Sequence, residues 1–127
     1  MVQQGYNILS NWAEAHDWFT NNWGSDPFAS PVDVAYDEHS IFELFGKHAF
    51  SSTRYFSLTG SRTIKFYAYA FTSSLQEVTA SLMHELNNAA AGWKMPYYDS
   101  TSLGGNGPKG SYTSAKIARR AYDAQCK

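Results

Sequence analysis

The chain is short of several things, and each shortage closes a class of function. It has a single cysteine, Cys126, in 127 residues, which excludes an internal disulfide framework and a multi-cysteine zinc site. A bond from that thiol to a second chain stays open. Charged residues make up only 17% and the net charge is -1. No long-range field therefore draws in a phosphate backbone or an anionic membrane, and nucleic-acid binding would depend on a local patch. No apolar run approaches the roughly 20 residues that span a bilayer, and residues 1–5 lack the basic and apolar regions of a signal peptide. The surplus of Ser, Thr, Asn and Tyr over Lys and Glu nevertheless suggests an extracellular chain given without its leader, with a cytoplasmic one as the alternative.

What is plentiful is apolar and aromatic: 43% hydrophobic residues and 17% aromatic, nine Tyr and four Trp among them. That composition lies outside the disordered regime, and a chain of this length buries about two thirds of its unfolded surface around one core. A single α+β domain over residues 1–127 is expected.

Ile8, Trp12, Ala15, Phe19 and Trp23 recur at helical spacing, which predicts a first helix over about 6–22 with His16 at the edge of its apolar face and Trp18 pointing away. Gly24, Pro27 and Pro31 end it. Val32, Val34 and Tyr36 alternate with Asp33, Ala35 and Asp37 as in a half-buried strand, and Ile41 to Phe45 reads as a second short strand. The clearest feature is a β-hairpin, 53–59 and 63–71, around Gly60-Ser61-Arg62. Setting Thr59 opposite Thr63 pairs Leu58 with Ile64 and Phe56 with Phe66, giving one apolar face and an opposite face of Tyr55, Ser57, Lys65, Tyr67, Tyr69 and Phe71.

Ser74-Leu75-Gln76-Glu77 is a capping box that opens a helix over 75–91, with Leu75, Val78, Leu82, Leu86 and Ala89 inward, His84 on the far side and Gly92 as left-handed cap. Residues 94–110 read as a long Gly- and Ser-containing loop. A last helix over about 113–125 presents Ser114, Ile117, Ala118, Ala121 and Ala124 for close packing and pairs Arg119 with Asp123. The expected fold is thus a small antiparallel sheet of three or four strands packed by three helices.

No motif in the chain carries a cofactor or a complete catalytic set. His84-Glu85 begins like the helix of a zinc peptidase, but Asn88 stands where the second His belongs. Lys109, Ser111 and Thr113 open the last helix without the order of a phosphate-binding loop. Two functions from different classes follow. The leading one is a soluble, secreted interaction domain that engages a protein or glycan through Tyr55, Lys65, Tyr67, Tyr69 and an exposed Trp18, with no catalytic residue, cofactor or metal. The alternative is a small metal-independent hydrolase, a toxin-like ribonuclease, built on His39, His48, Glu43 and Arg54 with the basic helix of Lys116, Arg119 and Arg120.

Overall fold

The computed structural model describes residues 1–29, 33–37, 51–56 and 61–126. Its helices are α1 (Val2–Ser10), α2 (Ala13–Trp23), α3 (Leu75–Ala91), α4 (Met95–Asp99) and α5 (Ser111–Cys126), and its strands are β1 (Asp33–Asp37), β2 (Ser51–Phe56) and β3 (Ser61–Tyr67). The fold is α+β, a three-stranded sheet in the order β1-β3-β2 packed by helices. The short strand expected at Ile41 to Phe45 lies outside the described residues.

α3 is the hub. Its Val78, Leu82, Met83 and Leu86 are buried and join Leu9 of α1, Phe19 of α2, Ile64 and Phe66 of β3 and Ile117 of α5 in one cluster. Each such side chain contributes roughly 1.5–3 kcal/mol on leaving water. Two helices come unusually close to α3, and small residues are the reason. At Gly5 of α1 a Cβ would stand 3.0 Å from Thr79 Oγ1 and 3.3 Å from Thr79 Cα, so any larger residue would push α1 outward. On α5 the expected small residues Ser114, Ala118 and Ala121 are buried, and Ser114 Oγ donates to the Met83 carbonyl at 3.4 Å and to its own turn at Ser111 O at 2.7 Å. The predicted Ala124 is exposed instead. Gln125 Nε2 reaches the Ile8 carbonyl at 2.8 Å, tying α5 to α1.

The single first helix expected over 6–22 is two helices. Asn11 caps α1, and Trp12 takes extended angles (φ -119°, ψ 111°) before α2 begins. Ser10 Oγ bonds back to the Asn7 carbonyl at 3.2 Å, a local bond that competes with helix continuation. His16 Nδ1 bonds Asp26 at 2.6 Å and Nε2 bonds the Ser10 carbonyl at 2.7 Å, bracing the break. The redirected α2 brings Trp18 against the core, half-buried, rather than out to solvent.

The sheet is mixed where an antiparallel one was expected: β2 and β3 are antiparallel, but β1 runs parallel to β3. Period-two alternation reports which face is wet and is silent on strand direction. The hairpin exists, with a different register. Phe66 faces Ser51, Ile64 faces Thr53 and Phe56 faces Ser61, so the partner of Phe66 lies five residues from the predicted Phe56, an odd shift that exchanges the rows of the pleat. The apolar row of β3 therefore meets hydroxyls, because a buried carboxylate on α3 requires donors there. After Tyr67 the chain turns into a 3-10 helix (Ala68–Thr72) instead of extending the strand to 71.

α3 starts and ends close to expectation. Ser74 Oγ accepts from the Glu77 N–H at 3.3 Å, while the Glu77 carboxylate turns to Arg119 Nη2 at 3.3 Å. Arg119 thus pairs with Glu77 rather than Asp123, which accepts from Gln76 Nε2 at 3.2 Å. Gly92 has positive φ (60°) but ψ -124°, outside the left-handed helical region. The segment 94–110 is not structureless. A 3-10 turn (Gly92–Lys94) leads into α4, and backbone bonds then tie Gly104 N to Tyr97 O, Gly105 N to Ser100 O and Tyr112 N to Gly105 O. Gly104 lies against the Tyr97 ring and Gly110 against the Gly105 carbonyl, with no room for a Cβ at either. Among the described residues no helix is long and apolar enough to cross a membrane, and Cys126 is exposed and unbridged.

Candidate functional site

Four polar residues on α3 are buried: Thr79, Glu85, Asn87 and Asn88. Two of them build a network facing β2 and the start of α5. Glu85, 3% exposed, accepts from Ser51 Oγ (2.6 Å), Thr53 Oγ1 (2.9 Å) and Asn88 Nδ2 (2.9 Å). Asn88 Nδ2 also donates to Asp99 Oδ1 at 3.2 Å, and its Oδ1 accepts from Ser111 Oγ. One turn away His84 Nε2 meets the same Asp99 oxygen at 2.7 Å, and its ring stands edge to face on Tyr112, centroids 4.7 Å apart. Helical spacing accounts for the grouping: positions 84, 85 and 88 share one side of α3, and α4 carries Asp99 over it.

This network floors a cleft of about 540 Å³ whose walls include Ser51, His84, Glu85, Tyr112, Lys116 and Arg119. Burial pushes the Glu85 carboxyl up, while the His84 charge and the donors Ser51, Thr53 and Asn88 oppose that rise. Burial works against the charge on His84, yet the Asp99 bond and the Glu85 and Asp99 charges outweigh it and raise its pKa. The His84 bond holds the Asp99 carboxyl below the usual range. Tyr112 is raised by burial and by Asp99 and Glu85, so its hydroxyl keeps its proton. A raised carboxyl beside a paired imidazole on the wall of a cleft is an arrangement that recurs where protons are transferred.

The zinc-peptidase beginning at His84-Glu85 ends differently in space. Asn88 does occupy the fourth position onward, but its amide N–H faces Glu85 and Asp99 where an imidazole lone pair would be needed. Among the described residues no group of three or more His, Cys, Asp or Glu is placed to hold a metal ion.

A second buried node joins the helices. Asn87 Oδ1 accepts from Trp18 Nε1 (2.8 Å) and Trp23 Nε1 (2.9 Å), and its Nδ2 donates to Lys109 O (3.0 Å) and Ser111 Oγ (3.2 Å). Trp18 is therefore a structural strut, not the exposed ring expected of it.

The tyrosine face does not assemble as predicted. Tyr67 is 8% exposed and its hydroxyl bonds Ser52 Oγ at 2.8 Å. Lys65 is half-buried and pairs with Asp37 at 3.6 Å. Tyr69 is exposed but sits beyond the strand, in the 3-10 turn. The side chains of Tyr55 and Arg54, and residues His39, Glu43 and His48, lie outside what the structure describes, so the ribonuclease set has no geometry. Exposed rings gather elsewhere: Trp93 (72% exposed) and Tyr97 (53%) rim a shallow depression completed by Lys94, Pro96 and Tyr98. Lys94 Nζ lies 5.4 Å from the Trp93 ring, and Tyr98 packs edge to face on both Tyr97 and Trp23.

Pattern reading gave Glu85 and Asn88 no role beyond an incomplete zinc motif and passed over Asp99, because polar residues on a helix are taken as its wet side. Asn87-Asn88 deep within a helix is the signal that was there, since Asn disfavours helix interiors unless its amide is engaged. Compared with known proteins, the chain matches no family model, no curated protein and no solved structure.

Proposed function

We propose that the chain is an interaction domain that captures a protein or glycan on exposed aromatic rings, and that the surface is the Trp93–Tyr98 depression rather than the strand tyrosines. The observation that carries this reading is the exposure of Trp93 at 72% beside Tyr97 at 53%. Large rings left in water on a helical corner cost solvation free energy that a partner recovers. Lys94 adds a cation beside the indole, and the two tyrosine hydroxyls add polar anchors at the rim.

Retention on immobilised polysaccharides and on a panel of immobilised proteins, compared between the native chain and the Trp93→Ala/Tyr97→Ala variant, tests the reading. Loss of each ring is expected to weaken capture by about 2 kcal/mol, about thirtyfold, as for a hot-spot aromatic, with the thermal midpoint unchanged in the single Trp93→Ala variant and lowered once the Tyr97 ring is withdrawn from Gly104. Equal retention of both proteins, or no retention of the native chain on either panel, overturns it.

A further inference from the structure

We infer that the cleft between α3 and α5 is a second, independent site, an acyl-transfer centre for ester hydrolysis in which Ser51 is the nucleophile and Glu85 its general base. Ser51 lines the cleft, and its Oγ already points its proton at Glu85 Oε2, 2.6 Å away. That contact meets the distance required of a nucleophile and its base. The base is itself fixed: Thr53 Oγ1 and Asn88 Nδ2 hold the other carboxylate oxygen, Oε1, so Oε2 is aimed at Ser51. This is the third-group orientation that activated nucleophiles share.

In the first half-reaction Ser51 Oγ bonds to the ester carbonyl carbon as its proton passes to Glu85. The carbon–oxygen bond to the leaving alcohol then breaks, and Glu85 returns the proton to that alcohol. In the second half-reaction water attacks the acyl-Ser51, Glu85 takes the water proton, the carboxylic acid departs, and Ser51 regains its proton. The only co-reactant is water, and no redox step is involved. Tyr112 lines the same cleft and keeps its hydroxyl proton, as a donor to the developing oxyanion must. Burial of Glu85 strengthens it as a base, because a carboxylate withdrawn from water binds a proton more tightly. A cleft of about 540 Å³ admits a small ester.

The test uses p-nitrophenyl acetate and the full chain carrying Cys126→Ser, since the exposed native thiol would itself be acylated. The expected result is a burst of one nitrophenolate per chain and one acetyl group located on Ser51 by peptide mass spectrometry. Ser51→Ala abolishes the burst, and Glu85→Gln, which keeps the volume and an acceptor for Ser51, slows it about a hundredfold or more. Should Ser51→Ala fail to fold, the position of the acetyl on the parent chain decides. Absence of a burst, acetylation at any other residue, or an unchanged burst in folded Ser51→Ala overturns the inference. None of these outcomes touches the Trp93 surface, so the two sites stand or fall separately.

Discussion

Replacing Asn87 by Leu should be among the most damaging single changes in this chain, although it swaps a polar residue for an apolar one of similar size in a fully buried position. Asn87 makes four hydrogen bonds, accepting from Trp18 and Trp23 and donating to Lys109 O and Ser111 Oγ. Each contributes about 1 kcal/mol net, and a partner left unpaired in the interior costs about 1–3 kcal/mol. Water can reach the half-buried indoles, so the full penalty does not fall on them. Buried Ser111 still has Asn88 as a partner. The expected loss is therefore about 3–4 kcal/mol, and for a domain of this size that is about 12–16 °C in thermal midpoint. Urea unfolding followed by tryptophan fluorescence gives the magnitude. Hydrogen exchange at the indole N–H of Trp18 and Trp23 gives the mechanism, since both protons should exchange faster in the variant. A loss below about 1 kcal/mol, or indole exchange unchanged, would refute the reasoning.

Stability should fall as pH rises above mild acidity. His16 and His84 both have folded pKa values raised above 6.5, His16 chiefly through the Asp26 bond. Their stabilisation is complete below about 6.5 and is lost as pH rises through the raised values. Glu85 adds the same sign, because an acid raised above 4.5 by burial favours the folded state only while protonated. A scan of the thermal midpoint from about pH 5 to about pH 9 should descend, and a flat or rising profile contradicts the assignment. His16 is a third exposed and solvent screens its share, so His84→Gln should flatten the descent more than His16→Gln. Tyr67→Phe removes only the Ser52 bond and should cost about 1 kcal/mol, whereas Tyr67→Ala empties a buried site and should cost about 3–5 kcal/mol. Equilibrium denaturation of the pair separates these values, and a near-neutral Tyr67→Ala would restore this ring to the surface.

What could be read from the sequence was what a local pattern controls. α3 was legible from its capping residue and its apolar stripe, and the small residues of α5 announced close packing. β1 and the hairpin were legible from alternation, and with them the α+β class. Strand direction and register were not, because they answer to distant demands. Ser51 and Thr53 oppose Phe66 and Ile64 because Glu85, more than thirty residues on, needs their protons. The same long-range logic hid the cleft. Glu85 and Asn88 look like wet helix positions until α4 and β2 close over them, and Asp99 looks like a loop residue until α4 brings it to His84. Trp18 was misplaced for a local reason, since a break at Asn11 and Trp12 leaves no mark on a periodicity counted across it.

The bond from Gln125 Nε2 to the Ile8 carbonyl fastens α5 to α1 across 117 residues of sequence. Closing so wide a loop costs chain entropy that only a finished interior repays, so this clasp belongs to the last contacts laid down as the chain folds.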